Sequence, residues 1–80
     1  MDVTQKAQRA QILLRDPLLR EALDGLRAEQ VAVFAGHAPG EAVTEARHIL
    51  WALEALESRL GSYIDDEEVF RHRQNKVAPQ

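Results

Sequence analysis

The chain has 80 residues and a mass of 9.0 kDa, with no cysteine, 45% apolar and 29% charged residues, and a formal net charge of −3. This length makes one domain with a thin core, and the lack of cysteine excludes a disulfide scaffold, thiol chemistry and cysteine-based zinc sites. The net acidity argues against a dedicated nucleic-acid binder, which carries a basic surplus.

Residues 3–15 are predicted to form a first helix. Asp2 is placed to cap it, with Gln5 at the third helical position. Val3, Ala7, Ala10 and Leu14 recur at 4-3-4 spacing and mark one stripe. Asp16-Pro17 then ends that helix and starts another. Proline disfavours helical geometry in the residue before it, Asp is a good N-cap, and Pro suits the first helical position. The break can be a sharp turn or a kink.

The second helix spans 17–35, with a seam of Leu19, Leu23, Leu26, Gln30 and Val33. A polar seam residue such as Gln30 can fix register or oligomeric state. Gly36 suits a left-handed helix end, and Pro39-Gly40 completes a turn. So short a connector makes its flanking helices antiparallel neighbours.

The third helix is expected over 41–64. Its seam, Ala46, Ile49, Leu53, Leu56, Leu60 and Tyr63, follows the 3-4 spacing of a coiled-coil pair. Asp65 to Glu68 has capping-box spacing, so a short fourth helix can start there or the third can continue. Residues 74–80 read as a polar tail.

The expected fold is all-α. It is a single domain over 1–80, made of an antiparallel helical hairpin (17–64), a short N-terminal helix (3–15), and a possible short C-terminal helix and tail (65–80). Twelve Ala and ten Leu support it, and β-branched residues do not cluster into strands. No apolar run is long enough to span a bilayer, and no signal peptide is visible, so a soluble intracellular protein is expected. Charge is uneven: residues 1–40 are net neutral, 41–68 carry −6 and 69–80 carry +3.

Few residues suggest chemistry. Glu45 and His48 have the Glu-x-x-His spacing of di-iron bundles, with Glu29 at a similar height across the hairpin. They flank the seam rather than lie in it, and a solvated pair is the simpler reading. The acidic run 65–68 lacks the alternating ligands and central Gly of a calcium loop. The hydroxyls have no nucleophile context and there is no phosphate-binding glycine loop. No catalytic, cofactor-binding or metal-binding residue is therefore expected, and the chain is read as a non-enzyme.

Trp51 falls opposite the hairpin seam, where the N-terminal helix can cover it, a partner can cover it, or it can stay exposed. Trp51, Leu50, Ala55, Leu14 and Phe70 are the expected partner interface. Arg71, Arg73 and Lys76 are a weaker alternative, a nucleic-acid contact in a small regulatory RNA- or DNA-binding hairpin dimer.

Asp16-Pro17-Leu18-Leu19-Arg20-Glu21-Ala22-Leu23, then Arg47 to Leu60 and Tyr63-Ile64-Asp65-Asp66, resemble short helical-hairpin proteins encoded among the head and packaging genes of tailed bacteriophages. The likeness covers roughly residues 10–66. It implies a virion or assembly role through protein–protein interaction, either as a homo-oligomer or docked on a larger assembly. The implied place is the host cytoplasm, or a virion. An anti-host inhibitor or antitoxin-like protein fits the same features.

Overall fold

A computed structural model describes the backbone of residues 1–77 and the side chains of residues 1–75. It is all-α, with three helices in chain order: α1 (Val3–Arg15), α2 (Pro17–Ala35) and α3 (Gly40–Val77). The first two boundaries form as the sequence dictates. The Asp2 carboxylate accepts from the Gln5 N–H at 2.7 Å, and the Gln5 side chain accepts from the Asp2 N–H at 3.2 Å. This reciprocal pair satisfies two donors that a helix start leaves free.

Asp16 serves both neighbouring helices. Its N–H donates to the Leu13 carbonyl at 3.2 Å and closes α1. Its carboxylate accepts from the Leu19 N–H at 2.9 Å, and its carbonyl accepts from Arg20 at 3.0 Å, which opens α2. The backbone of Asp16 is extended (φ −67°, ψ 121°), the geometry that Pro17 imposes on its predecessor. The joint between α1 and α2 is thus one residue long.

The end of α2 departs from expectation. Gly36 is extended (φ −95°, ψ −179°), not left-handed, and no described residue has a positive φ. The chain leaves α2 straight into the segment before Pro39. The Pro39 carbonyl then accepts from Ala42 and Val43 at 3.0 and 3.2 Å and caps α3.

The other end of the chain settles a choice that the sequence left open. Of the two readings open at Asp65, a short separate helix and a continuing third helix, the second holds, because α3 runs through Ile64 unbroken to Val77. No Gly or Pro occurs between Ser62 and Val77 to interrupt it. Arg71 reaches back one turn to Glu67 at 3.2 Å, a pair that supports a continuous helix. At 38 residues, α3 extends about 57 Å.

Both α1 and α2 pack chiefly on α3, and they touch each other least. The buried apolar residues are Ala7 and Ala10 of α1, Leu23 of α2, and Ala46 and Leu53 of α3. Three of these five are alanines, so helices approach closely but little apolar area leaves water. The chain measures 65 × 23 × 19 Å with a radius of gyration of 18.0 Å. A compact domain of this length has a radius of about 12 Å.

Candidate interaction surface

The residues expected at a partner interface do not form one patch. Trp51 is 59% exposed, and its ring lies 5.7 Å from that of His48, tilted by 40°. Ala55 is exposed one turn further along the same line of α3. Leu50 is half-buried, since one residue back from Trp51 turns it 100° toward the helix contacts. Leu14 is half-buried in the α1 stripe with Ala7 and Ala10, and Phe70 is exposed about 28 Å along α3 from Trp51.

The basic residues are also dispersed. Arg71 is tied to Glu67, Arg73 is exposed beside Glu68, Val69 and His72, and the side chain of Lys76 lies outside the described residues. Glu45, His48 and Glu29 are all exposed. Among the described residues, no group of three or more His, Asp or Glu comes close enough to hold a metal ion. No described helix is long and apolar enough to cross a membrane.

The interface between α2 and α3 holds the feature that sequence reasoning missed. Glu57 of α3 accepts from Arg27, and from Arg20 at 3.3 Å. Asp24 sits between the two arginines, 3.2 Å from Arg27 and 4.0 Å from Arg20. Burial pushes the Glu57 carboxyl up, but the hydrogen bond and charge of Arg27, then those of Arg20, outweigh it. Glu57 therefore titrates below its usual value of 4.5. The signal was present in the sequence. Arg20, Asp24 and Arg27 are spaced i, i+4, i+7, so they share one face of α2.

This cluster displaces two leucines assigned to the seam. Leu26 is 44% exposed and Leu56 is 47% exposed. Their neighbours Arg27 and Glu57 turn inward instead, both half-buried. Leu18, Val31, Phe34 and Val69 are also exposed. One flank of the α2–α3 contact is thus closed by ion pairs, while large aliphatic side chains meet solvent elsewhere.

Where α1 lies on α3, Lys6 places its ammonium 5.5 Å from the centre of the Tyr63 ring. Glu67 is the buried charged residue, 7% exposed. Its Oε1 pairs with Arg71 at 3.2 Å, and its Oε2 has no hydrogen-bond partner among the described residues. The chain matches no protein-family model, no curated protein and no solved structure.

Proposed function

We propose that this chain is a non-enzymatic helical protein that works by association, with itself or within a larger protein assembly. The reading is carried by one observation: Leu26, Leu56, Trp51, Phe34 and other large apolar side chains are exposed, whereas three of the five buried apolar residues are alanines. A monomer gains nothing from that distribution; a subunit whose apolar flanks are covered does. Head assembly or docking in a tailed bacteriophage is the setting implied by the sequence resemblance.

In this proposal α1 and α2 form one broken arm lying antiparallel to α3. The contacts support it: Lys6 meets Tyr63, while Arg20 and Arg27, further along the chain, meet Glu57, nearer the turn. The test is native mass by light scattering and thermal melting over a wide concentration range. The expected result is a mass above 9.0 kDa and a melting temperature that rises with concentration. A monomeric mass with a concentration-independent melt, and the same result with capsid or other assembly components added, would refute the reading.

A further inference from the structure

We propose that two copies of this chain pair through the C-terminal end of α3, antiparallel about a two-fold axis that passes between Val69 and Phe70. The proposal rests on the associating reading above and gives it a partner and a face.

This end of α3 has no companion helix. Every described residue from 68 to 75 is exposed, although all lie within α3. The start of α1 does not reach it: Val3 and Lys6 line a small recess with Tyr63 and Asp66. Past that recess Val69 is 51% exposed and Phe70 is 42% exposed. Asp66, Val69, Phe70 and Arg73 stand at i, i+3, i+4 and i+7, so they form one stripe of the helix.

Charge selects the occupant. Asp66 and Arg73 close the two ends of the stripe with opposite signs, and neither has an ion-pair partner among the described residues. On one helix they stand about 10.5 Å apart along the axis, too far to meet each other. A second copy laid antiparallel sets Asp66 of each copy opposite Arg73 of the other. The same axis sets Val69 of each opposite Phe70 of the other, because both pairs of positions share one midpoint. The stripe is therefore complementary to itself under a two-fold axis. Parallel pairing sets Asp66 against Asp66 and Arg73 against Arg73. A uniformly anionic partner such as nucleic acid is attracted at Arg73 and repelled at Asp66. Burial of Val69 and Phe70 supplies the attraction, while the charges fix direction and register. A contact of a few turns belongs with the small, weak interfaces, so pairing is read up to high chain concentration.

Charge reversal tests the pairing, because Asp66 and Arg73 are both exposed. Asp66→Arg and Arg73→Asp are measured singly and mixed in equal amounts, by native mass at low salt, with helicity followed by circular dichroism. The unaltered chain is expected at the mass of two chains. Each variant alone sets like charges against each other at both ends and is expected at the mass of one. The mixture is expected to recover the mass of two, since every charged contact across a mixed pair then joins opposite signs. A second measurement leaves Asp66 and its neighbour Lys6 untouched. Val69→Cys and Trp51→Cys each give a single thiol in a chain without cysteine. Position 69 adjoins the axis, whereas the two copies of position 51 lie about 55 Å apart. Val69→Cys is therefore expected to oxidise to a linked pair of chains much faster than Trp51→Cys.

In an unaltered chain of two-chain mass, two results overturn this face and leave the associating reading standing. One is a mixture of folded variants that stays at the mass of one chain. The other is cross-linking of Val69→Cys no faster than that of Trp51→Cys. An unaltered chain at the mass of one at every concentration overturns the second copy as partner.

Discussion

The two contacts that α3 makes differ in kind. Against α1 it meets Ala7 and Ala10, both almost wholly buried, in a close approach of small side chains. Against α2 it buries Leu23 and Leu53 but gives one flank of the contact to Arg20, Arg27 and Glu57. Small residues let backbones come close and need nothing further to be complete. The ion-paired contact leaves Leu26 and Leu56 in water. The most deeply buried apolar side chains are thus alanines, while many of the largest lie in water.

Substitutions can break or sharpen that contrast. The largest effect is expected from Leu23→Ala, which leaves a cavity in the α2–α3 contact and costs about 2–4 kcal/mol. Thermal or urea unfolding followed by far-ultraviolet circular dichroism measures it. Ala10→Leu is next. Forcing a larger side chain between α1 and α3 costs about 1–3 kcal/mol. Hydrogen exchange then distinguishes two outcomes: loss of protection confined to α1 makes the two contacts independent, and uniform loss makes the molecule one cooperative unit.

Asp16→Ala removes the side-chain cap of α2 and costs about 1 kcal/mol. Its effect on both helices together would show that the joint serves both contacts. The smallest effect concerns acid. The folded Glu57 carboxyl lies below its usual 4.5, so its stabilisation is complete above that pH and is lost as pH falls through the lowered value. In Glu57→Gln, melting temperature should decline less steeply below pH 4.5 than in the unaltered chain. Equal slopes would remove Glu57 from the account of the α2–α3 contact.

Much of the secondary structure was legible because its signals are local. The Asp2–Gln5 pair and Asp16-Pro17 set helix boundaries through hydrogen bonds and steric limits within four residues. The continuation of α3 past Ile64 was less legible. Acidic residues with capping spacing serve equally well inside a helix when nothing nearby forces the backbone out. The choice between Leu56 and Glu57 as the inward residue was least legible. Adjacent positions differ by 100°, and the seam of a straight helix drifts by about 20° per heptad. Periodicity therefore narrows the inward face to two neighbours, and the partner helix selects one. Here Arg20 and Arg27 select the carboxylate over the leucine. Val3 shows the same effect: it leads the sequence stripe of α1 yet is exposed, with Thr4 half-buried in its place.

The single-residue joint at Asp16 has a consequence for how this chain tolerates change in length. Because one residue closes α1 and opens α2, an insertion or deletion there cannot be absorbed by slack. It would turn α1 by about 100° relative to α2 and carry Ala7 and Ala10 away from α3, bringing their polar neighbours into contact instead. Asp16 thus works as an index pin between two wheels, fixing the phase of one helix against the other by counting residues rather than by bulk.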